Sequence, residues 1–274
     1  MDEDGTANRL GEYLRARRAL VTPDQVGLPG GTNRRVTGLR REEVALLAGI
    51  SADYYLRLER GRDSNPSAQV LDSLARVLHL DDVESEYLRG LGAPRPRSRP
   101  RRPVERVPAR LHHLLAALEV PAFIESRHFD VLASNSLALA FSPRLAPGQN
   151  RLWSLLLDPE EREFHDDWDT AVSGFVAAFR SSVGDDVADP RTVELVGELS
   201  LASARFRSLW ARHDVRRLDG GTTTVHHPEL GALRVHRDKL PVDGLILVVY
   251  YADTGSETAG KLRLLATLAA ASGI

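Results

Sequence analysis

Asp53, Arg57 and Arg60, with the small Ala52 beside them, recur along one side of the segment from Ser51 to Gly61. These side chains suit the edges of DNA bases. A guanidinium donates two parallel hydrogen bonds to guanine, a carboxylate accepts from cytosine N4, and a small apolar group meets a thymine methyl. Asp53 has a structural role open to it as well, because an acid in the first turn of a helix meets the positive end of the helix dipole. Cations surround the segment. Between 33 and 41 stand Asn33, Arg34, Arg35, Arg40 and Arg41, four Arg with no acid, and Arg62 follows Arg60. Cations at both ends of a reading helix have the pattern of phosphate contact.

Two helices must position these groups. Leu39 to Gly61 reads LRREEVALLAGISADYYLRLERG, two apolar-periodic segments around Ala48-Gly49-Ile50-Ser51. Gly49 supplies the left-handed position that ends the first helix, and Ser51 is a good N-cap for the second. Val44, Ala45, Leu47 and Ala48 face inward on the first helix, and Tyr55 and Leu58 on the second. This spacing predicts a helix-turn-helix with its outer face suited to the major groove. Spacing alone also fits an ordinary helical hairpin with a solvated face; the Arg clusters favour DNA.

Around this pair the chain predicts helices over 8–20, 67–80 and 81–91, so the first domain, residues 1–93, is expected to be an all-α bundle of five helices. Residues 94–108 (PRPRSRPRRPVERVP) alternate Pro with Arg and read as a semi-extended linker, a spacer rather than a phosphate-touching arm. Residues 109–274 predict an α+β domain. A short helix near 110–119 precedes a hairpin of PAFIESR and HFDVLAS, and Asn135 opens another helix. Two long helices are expected over 159–182 and 191–212. Strands then follow at 222–227, 231–237 and 244–252, with a closing helix over 257–271. The expectation is one antiparallel sheet with helices on one side.

Composition limits the classes. The chain of 274 residues has no Cys, which removes disulfides, thiol chemistry and Cys-based zinc. Its first 30 residues do not read as a secretory signal, and no apolar run approaches a membrane span, so a cytoplasmic protein with no membrane contact is expected. The net charge of −2 hides an asymmetry: residues 1–108 hold 19 Arg against 16 acids, and the remainder is acidic. Only Lys239 and Lys261 are lysines, which with abundant Ala and Leu suggests a GC-rich bacterial genome.

The second domain offers no catalytic constellation. His165-Asp166-Asp167 lacks the i, i+4 spacing of metal ligands, and the pairs His112-His113 and His226-His227 diverge in direction. No metal, cofactor or enzyme activity is expected. The aromatic residues Phe123, Trp153, Phe164, Trp168, Phe175, Phe179, Trp210, Tyr250 and Tyr251 are mostly core by type. Some of them are candidates to wall an apolar cavity.

Several stretches carry a family resemblance: GLRREEVALLAGISADYYLRLERGR, RPRRPVERVP, FDVLASN, LWARHDV and GLILVVYYADTGSETAGKLRLLATL. The first domain resembles the Xre (lambda-repressor-like) helix-turn-helix family. The second resembles the ligand-binding domain of MmyB-like transcription regulators, which implies a PAS-like fold. By position, the resemblance implies that Arg41 touches phosphate and that Ala52, Asp53 and Arg57 read bases, while Asn33, Arg34, Arg35, Arg60 and Arg62 flank the backbone. Arg40, Ser51 and Tyr54 complete the candidate DNA-binding set.

The resemblance also implies a small hydrophobic ligand, such as a fatty-acid-like molecule. Candidate contacts are Phe123, Asn135, Trp153, Phe164, Trp168, Phe175, Trp210, Arg212 and His213; Asn135 is equally suited to capping a helix. Here Ser134 precedes Asn135 where relatives carry Trp, and Phe164-His165-Asp166-Asp167-Trp168 replaces an aromatic–Pro–Asp–Trp pattern. Such changes alter ligand shape if they line the pocket. The expected function is a homodimeric regulator that binds a double-stranded DNA operator and senses that ligand. Two other readings remain: a second domain that is a ligand-free dimerisation or partner-binding module, and an enzyme fused to a DNA-binding domain.

Overall fold

The computed structural model describes residues 8–29, 34, 36–63, 65–93, 106–184, 189–217 and 219–272. Asn33, Arg35 and most of the Pro/Arg linker lie outside these residues. The first domain holds α1 (Arg9–Leu20), α2 (Arg41–Ala48), α3 (Ala52–Glu59), α4 (Ala68–Val77) and α5 (Asp82–Gly92). Tyr13, Leu14, Leu39, Val44, Tyr55, Leu58, Leu74 and Leu88 close its core. Gly49 turns the chain at φ +71° and its N–H bonds the carbonyls of Ala45 and Leu46, ending α2. The Ser51 hydroxyl accepts from the Tyr54 N–H and starts α3. Leu47, expected inward, is 38% exposed, and Leu46 is more exposed still. Eight residues of α2 give only two turns, and Val44, Ala45 and Ala48 fill the buried side.

The second domain begins with α6 (Ala109–Ala117). It then contains β1 (Ala122–Glu125), β2 (Val131–Ser134), α7 (Ser136–Phe141) and α8 (Arg151–Leu157). The helices α9 (Pro159–Phe164), α10 (Trp168–Val183), α11 (Pro190–Ala202) and α12 (Ala204–Ala211) follow. The chain continues as β3 (Gly221–His227), β4 (Gly231–Val242), β5 (Leu245–Tyr251) and α13 (Glu257–Ser272). The sheet is antiparallel throughout, in the order β2-β1-β5-β4-β3. An all-α helix-turn-helix domain followed by an α+β domain is therefore the architecture.

Several details differ from the sequence expectations: β4 runs on to Val242, past the expected end at 237, and α8 forms where no helix was expected. The helix expected over 159–182 breaks at His165–Asp167. There Asp167 caps α10 by accepting from the Thr170 N–H, and the Asp166 N–H reaches the Thr224 carbonyl of β3. The helix expected over 191–212 breaks at Ser203, whose hydroxyl accepts from the Phe206 N–H. Local capping bonds outcompete helix continuation in both places. The sheet is also covered on both faces. Phe123, Val248 and Tyr250 meet Phe141 of α7 and Leu265 of α13 on one face. Ala122, Ile124, Leu245 and Leu247 meet Leu111 and Leu115 of α6 on the other. A further helical layer, α8 and α10 to α12, packs around Phe129, Phe175, Phe179 and Phe206.

Candidate nucleic-acid interface and ligand cavity

Helix α3 divides cleanly. Tyr55, Leu58 and Glu59 are buried, and Ala52, Asp53 and Arg57 are exposed on the other side, with Ser51 and Arg60 at the ends. Arg57 forms an i,i+4 ion pair with Asp53 and lies 5.4 Å from the centre of the Tyr54 ring. Arg40 and Arg62 are exposed near the two ends of this surface.

Behind it stands a buried ion triad. Glu59 is fully buried and accepts from Arg18 Nε at 2.7 Å and from Arg41 Nε at 2.6 Å, tying α1, α2 and α3 together. Burial raises the Glu59 pKa, but the hydrogen bonds of the two Arg outweigh it and leave the carboxyl below its ordinary value. The Arg41 side chain remains 47% exposed, so its position is fixed from behind while its outer edge faces solvent. Arg34 is placed differently. Its guanidinium grips both oxygens of Glu43 at 2.7 Å and reaches the Gly38 carbonyl. That grip, with burial opposing it, holds Glu43 down to about 2. Arg34 thus staples the loop before α2, and its side chain is only 14% exposed.

In the second domain a cavity of about 650 Å³ lies between α10, the β3–β4 edge of the sheet and residues 216–217 and 219–221. Phe175, Ala171, Val225 and Tyr250 supply apolar and aromatic wall, and Arg237, Thr224 and Asp166 supply polar groups. Val83 of α5 in the first domain also lines it. A smaller cavity of about 200 Å³ shares Arg216 and Arg217 and adds Phe129 and Lys239. A third, of about 880 Å³, lies between α6, α7 and α13, lined by Leu115, Val120, Asn135 and Leu262 among others.

The nine ligand candidates do not converge on one of these cavities. Phe175 lines the first. Asn135 lines the third, but its side chain is engaged in structure: Oδ1 accepts from the N–H groups of Ala122 and Ala138, and Nδ2 donates to the carbonyls of Leu118 and Val120. Phe123 and Phe164 pack into a ring cluster with Phe141 and Tyr250. Trp168 donates to the Leu155 carbonyl, and Trp210 stacks on Phe206 at 5.4 Å, both within the helical layer. Trp153 is 44% exposed. Arg212 pairs with Asp214 at 2.9 Å, and His213 sits half-buried at φ +56°, a conformation uncommon outside glycine.

A buried charged set beside the cavities was absent from the sequence reading. Glu125 is fully buried and paired with Lys239; Arg151 lies 5.1 Å over Phe123 and 5.2 Å over Phe175, and Arg237 lies 5.7 Å over Phe175. Glu125 Oε2, Arg151 Nη1 and Arg237 Nε have no hydrogen-bond partner. Burial pushes Lys239 down to about 8, although Glu125 opposes the shift. Strand alternation held the signal: Leu233, Val235, Arg237 and Lys239 occupy one phase of β4, so the two cations continue an inward-facing apolar row.

Two of the histidines are held by neighbouring groups. His227 accepts from the N–H groups of Glu229 and Leu230, and His165 pairs with Glu161 at 3.3 Å. Among the described residues no three His, Asp or Glu converge as metal ligands, and no helix is long and apolar enough to cross a membrane.

Comparison with known families agrees with this division of the chain. Residues 9–88 match a helix-turn-helix domain, and residues 107–265 match the MmyB-like transcription regulator ligand binding domain. No curated protein matches the chain. Both matched domains are regulatory rather than enzymatic. The chain belongs to the MmyB-like transcription regulators, with an Xre-type helix-turn-helix DNA-binding domain ahead of its ligand-binding domain.

Proposed function

We propose that this chain is a sequence-specific regulator in which residues 1–93 read an operator, 94–108 link, and 109–274 sense a small apolar ligand with a polar handle. A cytoplasmic homodimer is the working form. On this reading Arg57 supplies the principal base contact, Ala52 and Asp53 assist, and Arg40, Arg41, Arg60 and Arg62 meet phosphates. Two such helices read half-sites about 34–36 Å apart. The ligand occupies the cavity of about 650 Å³.

One observation carries the sensing role: this cavity has walls from both domains. Val83 belongs to α5 of the reader, whereas Phe175, Arg237 and Tyr250 belong to the sensor. A molecule bound there contacts both, which is what differential affinity between two domain arrangements requires. The close packing of Phe123, Phe164, Trp168 and Trp210 supports the other reading, a ligand-free dimerisation or partner-binding module.

Titration of the full chain with dodecanoate and with dodecanol separates the two. All three Trp lie in the sensor, so their emission reports on it directly. The ligand reading expects a saturable emission change and a shift in operator affinity of about 5–150-fold, the usual range of allosteric coupling. Dimerisation with no response to either probe supports the module. The operator for this assay is selected from random DNA with the wild-type protein.

A further inference from the structure

The segment between α12 and β3 joins the two domains more closely than a connection within one domain needs to. Val215 belongs to the sensor by sequence, yet it is 6% exposed within the core of the reader. Its neighbours extend the contact. Asp214 accepts from Arg17 of α1 at 3.2 Å, and Arg17 also pairs with Glu84 of α5. Arg217 meets Glu86 of α5 at 2.5 Å. Next to this segment, Arg9 of α1 donates to the Gly184 carbonyl at the end of α10 at 2.6 Å. The reader is thus held along α1 and α5, away from the DNA-facing side of α3.

The other side of the same segment faces the sensor. The Arg216 N–H bonds the Ala177 carbonyl of α10, and Arg216 and Arg217 line both the cavity of about 650 Å³ and that of about 200 Å³. Beneath it Arg180, 4% exposed, stands 3.8 Å from the Trp210 ring and donates to the Trp210 carbonyl. The backbone enters through His213 in the left-handed region. Five consecutive residues therefore touch the reader core, two reader helices, a sensor helix and both cavities. Left-handed backbone at a non-glycine residue persists only where the surroundings over-determine it.

We infer that residues 213–217 form a latch that docks the reader on the sensor, and that an occupant of the adjoining cavities releases it by displacing Arg216 and Arg217. The release step rests on the ligand reading above; the latch itself does not. Docked readers are held at a fixed spacing, which favours simultaneous binding to two half-sites. Released readers move on the linker and lose that advantage, since effective concentration falls when geometry is no longer held.

The test uses the full chain without added ligand, on the selected operator and on a single half-site. Val215→Asp and Arg217→Glu each place an acid against the reader. Expected are separate melting of reader and sensor, single half-site affinity within about twofold of wild type, and a loss of about tenfold or more on the paired site. Arg217→Glu combined with Glu86→Arg restores paired-site binding, a rescue that a merely destabilised fold would not show. Wild-type binding to the paired site by both single variants would overturn the latch, as would equal losses on both DNA forms without rescue. A dodecanoate titration of wild type then tests release alone. Increased amide exchange at 213–217 on saturation supports it. Saturable Trp response with unchanged exchange overturns release while leaving ligand binding intact.

Discussion

Arg57 and Asp53 are paired one helical turn apart on the exposed face of α3, so the cation proposed to read bases is held by its neighbouring acid before DNA arrives. The pair is exposed at both ends, with side-chain exposures of 44% and 76%, and such pairs contribute little to stability. Its consequence is orientation: the paired Arg57 guanidinium lies over the Tyr54 ring.

Arg57→Ala is expected to weaken operator binding by about 5–150-fold, the equivalent of one bidentate base contact, while binding to random DNA changes little. Asp53→Ala separates two roles for the acid. A small, uniform loss across operator variants marks Asp53 as a holder of Arg57. Relaxed preference at one base pair marks it as a reader. Fluorescence anisotropy over a set of single-base operator variants measures both.

Glu59→Gln should unfold the reader, or nearly so. The substitution leaves Arg18 and Arg41 facing a neutral amide where both now grip a buried carboxylate. Breaking one partner of a buried ion pair costs about 3–5 kcal/mol. Urea denaturation followed by circular dichroism reads the loss. Trp emission should remain at its sensor value in early urea, because no Trp lies in the reader.

Lys239→Met is expected to destabilise the sensor by a similar amount, about 3–5 kcal/mol, by leaving fully buried Glu125 with only the more distant Arg151, at 3.9 Å. Pairing it with Glu125→Leu should recover most of that loss, since a well-packed apolar pair replaces the ions. The double-mutant cycle in urea, read by Trp emission, gives the coupling directly. No recovery in the double variant would mean that Arg151 and Arg237 depend on Glu125 as much as Lys239 does.

The latch should weaken in acid. Burial, with the charges of Arg180 and Arg9 adding, pushes His213 down to about 4 from an ordinary value near 6.5. A group whose folded value is depressed contributes its full stability above the unfolded value and loses it as pH falls through the folded one. Protonation here places a further cation beside Arg9 and Arg180. Amide exchange at 213–217 should therefore rise between about pH 6.5 and 4. His213→Gln should flatten this dependence within that window.

The helix-turn-helix was legible because its signals are local. Gly49 and Ser51 act on the backbone within one turn of themselves, and Tyr55 and Leu58 declare the inner face of α3 by spacing. Most strand positions were legible for the same reason, but β4 runs on to Val242, past the expected end at 237. The broken helices were not, because His165–Asp167 and Ser203 stop helices through capping and contacts with β3 that compete with an unbroken apolar period. Arg34 illustrates the limit for charge: within a basic run it reads as a phosphate contact, and only the approach of Glu43 shows where its guanidinium is directed.

By itself the sequence determined the two fold classes, the turn between α2 and α3, and the exposed side of α3, since capping and periodicity are properties of neighbouring residues. The tertiary structure decided which charges meet and where space remains. Glu59 with Arg18 and Arg41, Glu125 with Lys239, and Val215 within the reader core all join residues far apart in the chain. Burial and Coulomb attraction depend on distance in space, and for such pairs only folding sets that distance.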